Sequence, residues 1–413
     1  MQIVTTRTAV VMFAAFACAY FLSTLVRAIT ATLSPTLTEE FGLNSGELGL
    51  LAGGYFLGFA VAQWPMGVWL DRFGPKKVLI SLLAVAVLGC CAFAASSSFV
   101  GLLLARVLIG VGVSACLMGP LTAYRRWYAP ASQMRANSWM LMTGSLGMVA
   151  ATLPVQWLMP FTGWRPMFWA LAVMVVLCIV LIFRMVPAWR SPTAATSQNI
   201  GALDVRPGYA MVWRHPFFRA LAPMGFFIYG GLVAMQTLWV VPWLTKVAGM
   251  DTLQAAHAMF WLNVAMLLTF LTWGLVSPWL ARRGLQASRL IAFGMPLSFV
   301  FLAFIIVAGK SIGIWSGVLW IFYCMACTVI SLAQPAVAMV FPSELAGRAL
   351  SAFNLVVFSG IFVVQWGVGL GIDAFVAIGM AQTAAFQSAM AVFLIMTMLS
   401  YAYFLYAKSH NQG

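Results

Sequence analysis

The feature that most constrains this chain is the recurrence, along its whole length, of apolar segments long enough to cross a lipid bilayer. A bilayer core of about 30 Å is crossed by about 20 consecutive apolar residues in a helix. Twelve segments meet this condition, with approximate bounds 9–35, 46–70, 77–96, 99–124, 135–159, 165–187, 217–244, 255–279, 288–308, 313–340, 348–372 and 382–407. Only 7% of the 413 residues are charged, against about a quarter in soluble proteins. The sequence therefore predicts an all-α integral membrane protein with twelve transmembrane helices.

A polar interval from about Pro187 to His215 divides the twelve segments into six and six. We therefore predict an N-terminal six-helix bundle at 1–187, a cytoplasmic linker at 188–216 and a C-terminal six-helix bundle at 217–413. Most of the 22 Lys and Arg residues lie on the side of the termini and the linker, and basic loops stay in the cytoplasm. We expect a multi-pass protein of the inner (plasma) membrane with both termini cytoplasmic. No nucleic-acid partner is expected, because no stretch could form a basic soluble domain.

The two halves share an internal repeat. The loop that ends in Gly74 corresponds to a second loop that ends in Gly284, 210 positions later. Gly147 in the fifth segment corresponds to Gly360 in the eleventh, 213 positions later. Two similarities at nearly the same offset indicate duplication of a six-helix unit.

Two motifs carry a family resemblance. Residues 67–77 read GVWLDRFGPKK and resemble the loop between the second and third helices of the major facilitator superfamily. The resemblance implies two pseudo-symmetric six-helix bundles and a conformational role for Asp71, Arg72 and Gly74, which lock the cytoplasmic side in that family. The alternative is a tight turn that obeys the charge rule. Arg106, in the sequence RVLIGVG, is similar to the fourth-helix motif of the same family. Its role is either gating or proton movement, or a structural hydrogen bond to carbonyls of a neighbouring helix.

Arg27 is the principal candidate for substrate binding. Residues 25–35 read LVRAITATLSP and resemble the first helix of the anion:cation symporters and the sugar-phosphate permeases. In both branches a first-helix Arg holds the anionic group of the substrate, since the planar guanidinium can pair with two oxygens at once. The phosphate branch has a second Arg where Ala234 stands here, so a monoanion such as a carboxylate is favoured over a phosphate dianion. The alternative is a structural Arg that reaches toward the outer face.

Further candidates for substrate contact share a polar or aromatic side chain within a membrane segment. They are Tyr20, Thr30, Tyr229, Gln236, Trp239, Gln334 and Asn354. Each of them, taken alone, is more typical of a contact between helices. None of the eight acidic residues lies clearly at mid-membrane depth. Proton coupling would therefore have to use Asp373, Glu47 or His257 near helix ends. This favours uniport or exchange over proton-coupled transport.

These observations predict a secondary active or facilitative transporter of a small organic anion, with a carboxylate as the expected chemistry and alternating access as the mechanism. The expected partners are a small-molecule substrate and the lipid bilayer, with a co-transported ion left open and the protein a monomer. Two alternatives are a metabolite-binding receptor of the same fold and an exporter of a neutral or amphipathic compound. We expect no enzyme activity, cofactor or metal, because the sequence lacks a Ser/His/acid set, a metal-ligand cluster and a phosphate loop.

Overall fold

The computed structural model describes residues 5–187 and 205–410, and it is built from membrane-length helices. Eleven helices in these residues are long and apolar enough to cross a membrane, and a bent pair makes a twelfth. In chain order the spans are α1 (Arg7–Phe41), α2 (Ser45–Leu70), α3 (Arg72–Ala95), α4 (Phe99–Trp127), α5 (Arg135–Ala150 and Leu153–Thr162), α6 (Trp164–Met185), α7 (Pro216–Lys246), α8 (Thr252–Val276), α9 (Ala287–Ile312), α10 (Trp315–Val340), α11 (Gly347–Ala377) and α12 (Gln382–Ser409). Each of the twelve predicted segments corresponds to one of these spans.

The bend in α5 has a local cause. The two halves of the span meet at 43°, between Ala150 and Leu153. Pro154 is the second residue of the second half, and a proline has no backbone N–H to continue the helical hydrogen bonds of the first half. The predicted segment 135–159 therefore forms a broken span.

The exposed surfaces of the helices are apolar, as a lipid environment requires. Large apolar side chains remain exposed along the spans, including Phe161 at 86% and Phe293 at 85% exposure. In water such surfaces would drive association, whereas lipid tails accept them. The exposed apolar residues therefore mark faces of the spans that are suited to lipid.

Contacts group the chain into two compact units. Among the described residues, the first comprises 5–29 and 54–187, and the second comprises 30–53 and 205–410. The predicted bundles, 1–187 and 217–413, stay a prediction, and residues 30–53 are the segment that the two divisions assign differently. Of the predicted linker, residues 188–204 lie outside the described residues, while a short helix, Val205–Arg214, precedes α7.

The internal repeat appears as equivalent local geometry in the two units. Gly74 and Gly284 both adopt positive φ angles, 77° and 78°, a conformation that favours glycine. A Cβ on Gly147 would lie 2.3 Å from the carbonyl oxygen of Phe21, and a Cβ on Gly360 would lie 2.2 Å from that of Phe226. Glycine thus allows α5 to contact α1 in the first unit and α11 to contact α7 in the second.

Candidate functional site

Arg27 lies within α1 of the first unit and has a half-buried side chain. Its Nε atom is buried and makes no hydrogen bond within the described part of the chain. Tyr20 lies seven residues earlier and therefore on the same helix face, and its hydroxyl interacts with the guanidinium. An unsatisfied buried donor is costly, most of all on a charged group. Arg27 and Tyr20 together can therefore receive the carboxylate of a ligand.

Arg106 in α4 holds the backbone next to Arg27. Its side chain is 1% exposed, and Nη1 donates a hydrogen bond to the carbonyl oxygen of Val26 at 3.1 Å. The guanidinium carbon lies 5.7 Å from the ring centroids of Tyr55 and Phe93, within the range of cation–π attraction. Because Val26 directly precedes Arg27, this hydrogen bond fixes α1 at the candidate anion ligand.

The glycines of the Arg106 motif allow the close approach of neighbouring helices. A Cβ on Gly110 would lie 2.0 Å from the carbonyl oxygen of Tyr55 in α2, and a Cβ on Gly112 would lie 2.2 Å from the backbone nitrogen of Ala86 in α3. A side chain at either position would push two helices apart. The motif therefore packs α2 and α3 against α4 and so surrounds the Arg106 side chain with aromatic rings.

In the second unit, three predicted substrate residues lie in widened turns of α7. The helix contains two π-helical turns, Gly225–Tyr229 and Met235–Trp239. Tyr229 ends the first turn, and Gln236 and Trp239 belong to the second. Single π-helical turns interrupt regular hydrogen bonding and are frequent at functional sites. The sequence predicted these residues, but not the widened turns that carry them.

Side-chain amides connect α7 and α10 to their neighbours. Gln236 Nε2 donates to Asn263 Oδ1 of α8 at 2.8 Å. Gln334 Nε2 of α10 donates to Asn354 Oδ1 of α11 at 2.7 Å, so two predicted site residues contact each other. Trp239 is fully buried, and its Nε1 donates to a backbone carbonyl of α11 at 3.1 Å. This placement favours a packing role for Trp239.

The predicted residues not yet described are Thr30, Asp71, Arg72 and Gly74. Thr30 is buried. The Asp71 side chain lies outside the described residues. The Arg72 guanidinium carbon lies 5.3 Å from the ring centroid of Phe73, and Gly74 forms a positive-φ kink close to the start of α3. The gating role of Asp71, Arg72, Gly74 and Arg106 therefore stays a prediction.

A comparison of the whole sequence with protein families identifies the family of this chain. The sequence model of the Major Facilitator Superfamily matches residues 16–365, which is most of the chain. The chain belongs to the Major Facilitator Superfamily. The resemblance seen in the loop and in the fourth-helix motif is thereby confirmed.

Several transport proteins of known name are similar to this chain. The probable sulfoacetate transporter of Cupriavidus necator is 26% identical over 57% of this chain and 57% of its own length. The cis,cis-muconate transport protein of Acinetobacter baylyi is 26% identical over 60% of this chain and 61% of its own length. The 3-(3-hydroxy-phenyl)propionate transporter of Escherichia coli is 26% identical over 55% of each. The matched part thus spans less than two thirds of the length of each relative.

Solved structures of transporters share the fold. A bacterial homolog of the human lysosomal transporter Spinster superimposes with a TM-score of 0.78 over 98% of each chain at 17% identity. The D-xylose-proton symporter superimposes with a TM-score of 0.76 over 96% of this chain and 97% of its own, at 15% identity. These likenesses confirm the predicted all-α Major Facilitator fold.

Three residues that make contacts close to predicted residues, one in the first unit and two in the second, were not singled out from the sequence. Tyr55 faces Arg106, Asn263 accepts the amide of Gln236, and the Thr237 hydroxyl accepts a hydrogen bond from Gln365 Nε2 at 2.9 Å. Asn263 could have been found by the rule that selected Gln334, since it is an amide within an apolar span. Tyr55 and Thr237 carry no such signal, because similar residues recur throughout the chain.

Proposed function

We propose that this chain transports small organic carboxylates across the inner membrane by alternating access, with Arg27 as the ligand of the carboxylate. The observation that carries the proposal is the buried Arg27 Nε atom without a hydrogen-bond partner among the described residues. An intramembrane Arg usually marks a substrate or a polar partner. Tyr20, beside the guanidinium, offers a hydroxyl that can donate to a second oxygen of the same carboxylate.

The names of the relatives support this chemistry. Sulfoacetate, cis,cis-muconate and 3-(3-hydroxy-phenyl)propionate differ in their carbon skeletons, and each of them carries a carboxylate. A single guanidinium that recognises the shared group would serve ligands whose carbon skeletons differ. The distribution of basic residues supports cytoplasmic termini.

The test is solute counterflow in proteoliposomes that contain the purified chain. The probes are labelled sulfoacetate, cis,cis-muconate and 4-hydroxybenzoate, with a neutral sugar and a neutral amphipathic dye beside them. We expect at least one carboxylate to exchange into vesicles loaded with the same unlabelled acid, and no exchange in vesicles without protein. Exchange of the dye alone would contradict the proposal and favour an exporter of amphipathic compounds.

The receptor alternative gives a different pattern of results. A receptor would bind a carboxylate, as a rise in unfolding temperature reports, without exchanging it across the vesicle membrane. Binding and counterflow with the same acid would therefore exclude a receptor. Binding without counterflow, in vesicles that hold correctly folded protein, would establish one.

Arg106→Met is expected to weaken carboxylate binding by about tenfold, which is the value of one lost hydrogen bond to a charged group. Methionine keeps most of the apolar volume but cannot hold the carbonyl of Val26, so Arg27 loses its fixed backbone. The measurement is the Kd obtained from ligand-dependent unfolding temperatures.

The control is the same substitution in a chain that already carries Arg27→Ala. If Arg106 acts by positioning Arg27, Arg106→Met should have little further effect on the remaining affinity. An equal loss of affinity in both backgrounds would contradict the positioning role and would indicate that Arg106 acts on the ligand independently.

A further inference from the structure

The first turn of α2 is held by a carboxylate from a helix that is distant in sequence. Oδ1 of Asp373, near the end of α11, accepts a hydrogen bond from the backbone amide of Ser45 at 3.0 Å, and Oδ2 accepts one from Gly46 at 2.7 Å. The first amides of a helix have no intrahelical partner and carry partial positive charge. Asp373 therefore makes two charge-assisted hydrogen bonds across the contact between α2 and α11.

Glycines bring the two helix backbones close enough for this contact. A Cβ on Gly49 would lie 2.4 Å from the carbonyl oxygen of Gln365, and a Cβ on Gly369 would lie 2.2 Å from that of Ser45. Both neighbouring atoms belong to the backbone, which cannot turn aside as a side chain can. The contact between α2 and α11 thus has a tightly packed body and a polar end that Asp373 closes.

Asp373 is not required to begin α2, because the helix has its own cap. Asn44 Oδ1 accepts a hydrogen bond from the Glu47 amide at 2.7 Å, and Glu47 Oε2 accepts one from the Asn44 amide at 3.0 Å. This reciprocal pair is a capping box. The bonds of Asp373 are additional, and their distinctive effect is to join α2 to α11.

A cavity and two charged side chains lie near Asp373. A cavity of about 250 Å³ lies beside it, between the end of α1, the start of α2 and parts of α7, α11 and α12. Lys246 is the basic residue that lines this cavity, and Glu47 is the neighbouring acid on α2. The helix ends thus border open space, and the carboxylate at the amides of Ser45 and Gly46 is that of Asp373.

We propose that Asp373 is a gating residue, whose carboxylate holds α2 against α11 in the conformation described here and releases it when this end of the carrier opens. The inference rests on the proposed function, because alternating access requires two bundles to part at one end at a time. Residues 30–53 belong to the first predicted bundle but pack within the second unit. The cycle therefore requires this segment to separate from α11, and on the proposed topology it lies at the outer end.

The test is hydrogen–deuterium exchange of the full chain in lipid nanodiscs, without substrate. Asp373→Asn keeps the size of the side chain but removes its charge. The new side-chain NH₂ group then faces a backbone N–H, and two donors cannot form a hydrogen bond. We expect backbone amides of both 43–50 and 362–377 to exchange at least about tenfold faster, because the two segments open together. Faster exchange in 43–50 alone would show that Asp373 acts only as a helix cap, and it would overturn the proposal. Unchanged exchange in both segments would also overturn it.

Two control variants distinguish the contact that Asp373 makes between α2 and α11 from local capping of a helix. Asn44→Ala breaks the local cap and should accelerate exchange in 43–50 alone. Asp251→Asn makes the same charge change at the start of α8, where Asp251 Oδ1 accepts a hydrogen bond from the local amide of Gln254 at 2.7 Å, and its effect should stay near residues 251–256. If Asp373→Asn does not fold, Asp373→Glu replaces it: the longer side chain keeps the charge but moves its oxygens from their places at the amides of Ser45 and Gly46, and both segments should again exchange faster. Since no substrate is present, a failure of carboxylate transport would leave this result unchanged.

Discussion

Arg27→Ala is expected to weaken the binding of the transported carboxylate by roughly 100-fold and to abolish its counterflow in proteoliposomes. A carboxylate paired with a guanidinium makes up to two charge-assisted hydrogen bonds, each worth about 1.5–3 kcal/mol. Alanine leaves the negative charge of the ligand within a membrane span without a cation. The measurement is the rise in unfolding temperature with added carboxylate, which should vanish at concentrations that saturate the unsubstituted protein.

The Arg27 variant should remain folded, which makes the loss of binding interpretable. Its Nε atom makes no hydrogen bond among the described residues, and a cation within a membrane is costly, so the unliganded protein should lose little stability. Arg27→Lys should bind more weakly than the unsubstituted chain, because an ammonium lacks the planar fork. As a matched control, Arg165→Ala removes an arginine at the start of α6, where it donates to Ser96. A carboxylate shift that survives Arg27→Ala but is lost in Arg165→Ala would place the anion elsewhere.

The fold was predictable because its signals are local in sequence. The length of an apolar run predicts a membrane span. All twelve predicted spans lie within the spans of the structure or overlap them. Gly74 and Gly284 were predictable as equivalent loop positions, and both adopt the positive φ that explains the glycine. The break in α5 was missed because the apolar run continues across the bend, and hydropathy does not report the loss of a backbone donor at Pro154.

The candidate site was only partly predictable, because its contacts join residues that are distant in sequence. A lone intramembrane Arg is visible in the sequence, so Arg27 and Arg106 could be selected. Their relation was not visible, since it depends on the carbonyl of Val26 facing α4. Asp373 was noted as an acid near a helix end, but its hydrogen bonds to the start of α2 require the packing of two helices more than 300 positions apart.

Gly110→Ala is expected to destabilise the folded protein by about 3 kcal/mol, although it adds one methyl group. That methyl would lie 2.0 Å from the carbonyl oxygen of Tyr55, and the obstacle is backbone, so α2 and α4 must move apart. The separation also moves the ring of Tyr55 away from the Arg106 guanidinium. The measurement is thermal unfolding in detergent, with the fraction of monodisperse protein as a second readout. Gly274→Ala in α8 is the matched control, because a Cβ there meets nothing within 4 Å and alanine is the better helix former.

The contact is reciprocal, which gives a sharper test of the same cause. A Cβ on Gly58 of α2 would lie 2.2 Å from the carbonyl oxygen of Val107 in α4, so Gly58→Ala should destabilise the protein to a similar extent. Once one methyl has forced the helices apart, the second meets a wider gap. The double substitution should therefore cost clearly less than the sum of the two single costs. Strict additivity would mean that the two glycines act separately, and that the helices do not move apart as one contact.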